Sequence, residues 1–404
     1  MSTKELGAFV AGVAVGVACQ KYLFPFARKA SGGGSESSGP VPKNRALAPK
    51  LPKSPFVSGL FEVCIGVPLD ELEAHIEYWE QFGFYEASDL PRGHFNAKQS
   101  KELYGVQAES LTSVRLFHGN ADHGLVRLMC FKGAQPKCPS WKLTNLRVKG
   151  ARWGAQLTDD LFNIHNHASD SQAEGLEVRC GEPQRCIIYK DSSGGAVRPF
   201  VGKIACVREL LVIQPTAVSN FYQRYDYKIP QYGQPANESK FKASQITHCG
   251  LTVQGPPEVL NFYEDALGLM RQPDRKVEFG PGPEPTDEST RAIMGLVEPG
   301  DFYVTTNFDD PRSSTNVQDY RSGRLHIQRF PEGVDMPDMT KEIRPGCIGP
   351  CLYTLRAQNA EAVRARVSAA EGSEVTCRVM PNEFGEPSFS FVSPDGYVWN
   401  ALQA

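Results

Sequence analysis

The sequence predicts an α+β protein built from a repeated unit of one strand, one helix and further strands. Residues 246 to 269 change from a strand-like to a helix-like spacing of apolar residues, and residues 60 to 84 repeat that change. A hydrophobic fraction of 41% with 22% charged residues is typical of globular chains, and 404 residues have room for two or three domains.

The stretch from Ile246 to Leu269 defines the unit. Its first part predicts a strand with one buried face, because two sets of residues alternate: Cys249, Leu251 and Val253 against His248, Gly250 and Thr252. Its second part predicts an amphipathic helix, because apolar residues recur at helical spacing before a capping glycine: Val259, Phe262, Tyr263, Ala266 and Gly268. One strand therefore leads directly into one helix.

Similar stretches predict three more units. The first unit begins at Leu60, the second has a strand from Gly154 to Thr158 with a helix over 159–170, and the fourth runs from Leu352 to Leu402. A further strand and helix are predicted over Cys206 to Ile229, where apolar residues again follow helical spacing. This additional segment is interpreted as a bridge between the two halves of the chain.

The unit resembles the βαβββ module of the vicinal oxygen chelate superfamily, which includes the glyoxalase, bleomycin-resistance and extradiol dioxygenase families. The turn from Ser393 to Gly396, with the strand that follows it, is similar to a hairpin of that family. The resemblance implies tandem βαβββ modules that pair into two curved mixed β-sheet half-barrel domains, each around a cavity. We expect these domains at 59–200 and 246–404, with the bridge at 201–245.

Charge and cysteine content exclude several classes of protein. Lys and Arg number 43 against 46 Asp and Glu, so the formal charge of −3 gives no basic field for nucleic-acid binding. The 11 cysteines form no CxxC pair, which indicates reduced thiols in a cytosol-like compartment. Motifs of nucleotide-binding loops, serine hydrolases and zinc peptidases are absent from the sequence.

Residues 1–29 are predicted to be an N-terminal membrane-anchor helix, followed by a flexible linker at 30–58. The uncharged run from Leu6 to Cys19 reaches the roughly 20 apolar residues of a spanning helix only if Lys21 extends toward the interface. Lys21, Arg28 and Lys29 follow the run, which favours a cytosolic position for the rest of the chain. The segment resembles signal anchors of the mitochondrial outer membrane, with the endoplasmic reticulum or a cleaved targeting peptide as alternatives.

One helical stripe of the predicted anchor carries small residues. Ala8, Gly12 and Gly16 are spaced four apart, a pattern that lets two membrane helices approach closely. The sequence therefore predicts that a homodimer could form through the anchor.

The resemblance implies a metal site in the second domain. Family ligands correspond there to His248, His326, Leu352 and Asn400, and two imidazoles are suitable ligands for Fe, Zn, Mn or Ni. Leu352 cannot coordinate a metal, and Asn400 replaces the family's glutamate. His248 and His326 are therefore the predicted metal ligands, with a histidine that only hydrogen-bonds as the alternative at position 248.

The corresponding positions of the first domain carry charged residues without a metal-binding set. Glu62, Arg127 and Arg198 occupy three of them, and two guanidinium groups could hold the carboxylate or phosphate of a small molecule. The alternative is that Glu62 forms a buried structural ion pair with one of the arginines.

Two functions follow from these residues. The first is a membrane-anchored, glyoxalase-like or dioxygenase-like enzyme that binds a small molecule, with a divalent metal as Lewis acid in lyase, isomerase or dioxygenase chemistry. The second is a metal-free binding or scaffold protein of the same fold on an organelle membrane. The sequence does not name the substrate.

Overall fold

The computed structural model describes residues 57–134, 145–187, 206–225, 232–278, 292–310 and 323–404, which contain four consecutive units. Each unit begins with a strand and a helix and continues with further strands. The first unit contains β1 (Val57–Gly66), α1 (Leu72–Glu80), β2 (Phe84–Glu86), β3 (Gly93–Asn96), α2 (Ala97–Tyr104), β4 (Ser110–His118) and β5 (Leu125–Lys132). The second contains β6 (Arg152–Thr158), α3 (Leu161–Ala173), β7 (Arg179–Cys180), β8 (Gln184–Ile187), β9 (Cys206–Gln214) and β10 (Ala217–Tyr225).

The other two units have the order of elements of the second unit. The third contains β11 (Ala243–Gln254), α4 (Asn261–Asp265), β12 (Met270–Arg271), β13 (Arg275–Glu278), β14 (Phe302–Asp309) and β15 (Arg324–Phe330). The fourth contains β16 (Gly349–Ala357), α5 (Ala360–Ala369), β17 (Glu374–Val375), β18 (Met380–Pro381), β19 (Pro387–Val392) and β20 (Val398–Gln403). Short 3₁₀ turns at Leu69–Glu71 and Pro257–Leu260 precede α1 and α4.

Side-chain caps fix the ends of two helices. The side chain of Asn96 accepts from the backbone of Gln99 at 3.0 Å, and the side chain of Gln99 accepts from the backbone of Asn96 at 3.1 Å. Gly105 ends α2 with a φ of 71°, a left-handed conformation that glycine adopts without strain. Asn359 caps α5 by accepting from the backbone of Ala362 at 2.9 Å.

The four units form two mixed ten-stranded sheets. The first sheet joins the first and fourth units in the order β17-β19-β20-β16-β1-β5-β4-β2, and the second joins the second and third in the order β12-β14-β15-β11-β6-β10-β9-β7. In each sheet the opening strands of two units lie side by side and antiparallel, β1 with β16 and β6 with β11. The expected pair of curved mixed sheets is confirmed.

The pairing of units differs from the expectation of one domain at 59–200 and another at 246–404. Strand β1 pairs with β16, for example with Val63 opposite Tyr353. The first and fourth units therefore share one sheet, and the second and third units, which lie between them in the sequence, share the other. The opening strands share the same alternation, which sets the buried face of a strand but not its partner. Strand β1 also begins at Val57, slightly before the predicted end of the linker.

Residues 217–225 form a strand, and the prediction of a helix in the bridge at 201–245 is wrong there. All nine residues of β10 pair with β9, from Ala217 opposite Gln214 to Tyr225 opposite Cys206. Aromatic and β-branched residues also favour strands, and the long hairpin satisfies the backbone more completely than a short isolated helix would. The segment therefore completes the second unit.

The apolar faces of the two sheets and their helices form one shared core. Its buried members include Val63 of β1, Ile76 of α1, Leu251 of β11 and Tyr263 of α4. The hydroxyl group of Tyr353 in the first sheet lies 2.8 Å from the carbonyl oxygen of Gly250 in the second. The two sheets therefore contact each other through the faces that carry the helices.

The predicted anchor at 1–29, its small-residue stripe and nearly all of the linker lie outside the described residues. Among the residues that are described, none belongs to a helix long and apolar enough to cross a membrane.

Candidate functional site

His248 and His326 lie side by side on the second sheet. Their strands β11 and β15 are parallel, with His248 opposite Arg324 and His326 opposite Gly250. The ring centroids are 6.0 Å apart and the ring planes are inclined by 44°. Their sequence neighbours, such as Cys249, belong to the shared core, and side chains alternate along a strand. The two imidazoles therefore share the sheet face directed away from the helices, which we call the open face.

Aromatic side chains flank both imidazoles. The indole of Trp153 meets the ring of His326 edge-on at a centroid distance of 6.3 Å, and the ring of Tyr232 lies parallel to that of His248 at 6.5 Å. A glycine at position 250 is required here, because a Cβ atom would lie 1.7 Å from Cε2 of Trp153. Gly250 therefore leaves the space in which the indole reaches His326.

Each imidazole is hydrogen-bonded through Nδ1. Nδ1 of His326 lies 2.9 Å from Oδ1 of Asn307, which can only accept. Nδ1 of His326 is therefore a donor, and its Nε2 keeps its lone pair. Nδ1 of His248 lies 3.0 Å from Oγ1 of Thr247 and 3.2 Å from the hydroxyl group of Tyr232, so it either donates to Thr247 or accepts from Tyr232. No described residue hydrogen-bonds the Nε2 atom of either ring.

Both imidazoles are uncharged near neutral pH. Burial lowers the pKa of His326 to about 4, assisted by the charges of Arg324 and Arg275. Burial also lowers the pKa of His248 well below its usual value, and the charges of Arg324 and Arg224 act in the same direction. Neutral imidazoles are the form that binds a metal or accepts a proton.

Glu209 faces the same side of the sheet. It lies on β9 opposite Tyr222 of β10, whose ring centroid is 5.7 Å from that of His248. Burial raises the pKa of the Glu209 carboxyl, opposed by Arg275, whose charge also acts on His326. The sequence pattern does not single out Glu209, because it assigns this segment to the bridge. The position of Glu209 between Val207 and Leu211 is the signal that could show which face it occupies.

Glu62 and Arg127 form the centre of a buried ion cluster in the first sheet. Glu62 pairs with both Arg127 and Arg115, and Arg115 also binds Glu386 through two hydrogen bonds of 2.7 and 2.9 Å. Arg127 binds Glu383 at 3.1 Å. Glu62 therefore forms the buried ion pair that was the alternative prediction. Binding of a small molecule by these side chains stays a prediction.

Glu383 and Glu386, two acidic residues of the cluster between β18 and β19, are held in the charged form. Burial by itself would raise the pKa of Glu386, but hydrogen bonds from Arg115 lower it to about 2. Burial is likewise outweighed at Glu383, where the charge of Arg127 lowers the pKa. The ring of Phe384 covers the cluster, with its centroid 4.4 Å from the Arg115 guanidinium.

Asn400 belongs to the first sheet, so the expectation that it shares a site with the two histidines is wrong. It pairs with Thr354 of β16, whose hydroxyl group donates to Glu62 at 3.0 Å. Nδ2 of Asn400 donates to the carbonyl oxygen of Phe389 and to Oγ of Ser390, while its buried Oδ1 has no partner within the described ranges. The cause is the pairing of the fourth unit with the first. Arg198 lies outside the described residues.

No protein-family model matches the sequence. No curated protein matches it either. Solved structures to which the chain is similar include glyoxalase I from Zea mays, at 14% identity over 85% of this chain and 92% of that one, with a TM-score of 0.42. A putative dioxygenase from Bacillus subtilis is 10% identical over 87% of this chain and 86% of that one, with a TM-score of 0.45. A glyoxalase family protein from Bacillus cereus is 15% identical over 38% of this chain and 89% of that one, with a TM-score of 0.29.

These likenesses bear on the fold alone, so membership of the vicinal oxygen chelate superfamily stays a prediction. The chain itself carries the repeated units and the two curved mixed sheets that the resemblance implies. Identities of 10 to 15% and TM-scores below 0.5 carry no statement about substrate or reaction.

The imidazoles of His248 and His326 on the open face could form part of a metal site. Two imidazoles with ring centroids 6.0 Å apart can bind one ion, since metal to imidazole bonds are about 2.0–2.1 Å long. The Nδ1 atoms are held by Asn307 and Thr247, as is usual for imidazoles that bind metals. In the part of the chain that the structure describes, no three His, Cys, Asp or Glu side chains are placed to hold an ion together. Among the described residues, the two imidazoles are therefore the candidate ligands there.

Proposed function

We propose that the chain is an enzyme-like protein that binds a small oxygenated molecule on the open face of the second sheet. The observation that carries this proposal is the pair of neutral imidazoles, His248 and His326, whose ring centroids lie 6.0 Å apart on one face of the sheet. A purely structural role would not require two half-buried, uncharged rings without a partner for Nε2 among the described residues.

The charges around the imidazoles favour a ligand with a negatively polarised oxygen. The Arg324 guanidinium lies on the same face and is oriented by two hydrogen bonds to Asp309, of 2.6 and 3.0 Å. Arg224 adds a second cation, with its guanidinium 5.4 Å from the ring centroid of Tyr232. Aromatic rings beside cations suit a flat molecule that carries carbonyl, enolate or carboxylate oxygens.

A divalent ion of iron, zinc, manganese or nickel would be held by Nε2 of His248 and His326. When bound, it would supply Lewis-acid polarisation of a ligand oxygen, the chemistry of lyase, isomerase or dioxygenase reactions. The chain's own residues supply orientation through Asn307 and Thr247. Glu209 supplies a carboxyl group whose pKa is raised by burial, as is usual for a general acid or base.

A second candidate function is a metal-free binding or scaffold protein. It is favoured by the lack of a third metal ligand among the described residues and by the ion cluster around Glu62 in the first sheet. On this alternative the second sheet binds its ligand through hydrogen bonds and aromatic contacts alone.

Metal analysis of the purified full chain distinguishes the two candidates. We expect a stoichiometric divalent metal in the unaltered chain, its loss in the double variant His248→Ala/His326→Ala, and its retention in His94→Ala. His94 is an exposed histidine of the first sheet, so this control removes an imidazole without touching the site. A folded, metal-free chain that still binds small molecules would favour the second candidate.

We also propose that residues 1–29 anchor the chain in a membrane, with the mitochondrial outer membrane favoured over the endoplasmic reticulum. The support is the uncharged run from Leu6 to Cys19 and the basic residues after it. Deletion of residues 1–29 is expected to release the chain from sedimented membranes. Continued sedimentation of the deleted chain would count against the anchor.

A further inference from the structure

Two buried polar side chains of the second sheet have no hydrogen-bond partner among the described residues. They are Gln328 of β15, for both Oε1 and Nε2, and Thr252 of β11, for Oγ1. Gln328 is 1% exposed and Thr252 is fully buried. The two residues lie opposite each other in the parallel pairing of β11 with β15.

Both side chains belong to the open face. Gln328 follows His326 by two residues and Thr252 follows Gly250 by two, and residues two apart in a strand point to the same side. They therefore lie one step, about 6.6 Å along the strands, from His326. The intervening residue Ile327 points into the shared core, which confirms the alternation.

An amide with two unpaired polar atoms is costly to bury. Buried polar groups in folded proteins almost always find a partner, and one left without a partner loses its hydrogen bonds to water without compensation. By contrast Gln156, also 1% exposed, donates from Nε2 to the carbonyl oxygen of Ser244 at 2.9 Å. Gln328 thus has the hydrogen-bonding capacity that a bound molecule would satisfy.

We propose that Gln328 and Thr252 form the inner end of the ligand site and bind an uncharged carboxamide-like group. A glutamine amide offers one acceptor and two donors, so it pairs with a second amide through two parallel hydrogen bonds. Thr252 supplies a hydroxyl group beside that pair. The proposal rests on the proposed function, and it narrows the ligand to a molecule with an oxygen near the histidines and an amide, lactam or urea group at the inner end.

The test uses benzamide as probe on the purified full chain, with benzoate and toluene for comparison in isothermal titration. We expect benzamide to bind more tightly than either, and the affinity to fall at least tenfold in both Gln328→Met and Thr252→Val. Gln328→Met is also expected to raise Tm, because it removes unpaired polar atoms at nearly the same volume. The matched control Gln156→Met is expected to lower Tm and to leave benzamide binding unchanged.

The opposite results have a definite meaning. Equal benzamide binding in the unaltered chain and in Gln328→Met, with a lowered Tm, would show that a buried water satisfies Gln328 and would overturn the proposal. Benzamide binding in His248→Ala/His326→Ala, measured together with the metal content of the unaltered chain, separates the proposed metal-dependent function from the proposed carboxamide subsite. If the chain lacks metal but still binds benzamide through Gln328, only the metal-dependent function fails. If metal is bound and benzamide is not, only the carboxamide subsite fails.

Discussion

His248 and His326 stand two positions out of register on neighbouring parallel strands, so their rings meet at 6.0 Å with no hydrogen bond between them. Each ring is tied through Nδ1 to a different neighbour, Thr247 or Asn307. Protonation of either ring would place a second positive charge beside Arg324. The pair is thereby kept neutral by its surroundings, and this has a measurable consequence for stability.

We expect the free energy of unfolding to fall as pH decreases from 6.5 toward 4. Histidine in the unfolded chain titrates near its ordinary value of 6.5, whereas in the fold burial lowers the pKa of His326 to about 4 and that of His248 in the same direction. The unfolded chain then binds more protons in this window, so stability is complete above pH 6.5 and is lost below it. Urea unfolding midpoints across the window should show a flatter dependence for His326→Ala than for His94→Ala.

The ion cluster of the first sheet predicts a second effect on stability. Replacing Arg127 by Met leaves the buried carboxylate of Glu62 with one cation fewer, which typically costs about 3–5 kcal/mol. The control Lys132→Met breaks the exposed pair with Glu109, whose side chains are 61% and 66% exposed, and should cost at most about 1 kcal/mol. Similar unfolding free energies for the two variants would contradict a structural role for the cluster.

The alternation of residues in β11 and β15 is sufficient to predict the neighbourhood of the two histidines. Cys249 and Leu325 are apolar and buried in the core, and their alternation with His248 and His326 in the sequence places both imidazoles on the other face. The unit pairing is not predictable in the same way, because strand periodicity specifies a face and not a partner. For this reason the sequence pattern groups Asn400 with the wrong sheet.

The open face is incompletely predicted for a related reason. Tyr222 fits a helical spacing as well as a strand, and only the hairpin with β9 decides between them. If residues 217–225 are interpreted as a helix, Glu209 has no defined neighbours and cannot be assigned to the open face. The unpaired amide of Gln328 is apparent only in the folded chain, since the sequence does not indicate which buried polar groups lack partners.

Gly250 makes the site sensitive to the smallest possible substitution. In Gly250→Ala the new methyl group would lie 1.7 Å from Trp153, and the buried indole would have to move, with an expected loss of about 1–3 kcal/mol. Gly154→Ala is the matched control, because its nearest contact is Ile246 at 3.2 Å and a small shift relieves it. Unfolding free energies measure the difference, and an equal loss in both variants would show that Trp153 is free to move.

Tyr353 joins the two sheets, and its hydroxyl group is expected to contribute to stability without contributing to the site. The hydroxyl lies 2.8 Å from the carbonyl oxygen of Gly250 and 3.0 Å from that of Trp153, all in the buried core. Tyr353→Phe leaves these oxygens short of a donor, at a cost of about 1–3 kcal/mol. Tyr85→Phe, which removes an exposed bond to Gly119, should change the unfolding free energy by less than about 0.5 kcal/mol. If Tyr353→Phe were as mild as this control, the contact between the sheets would depend on apolar packing alone.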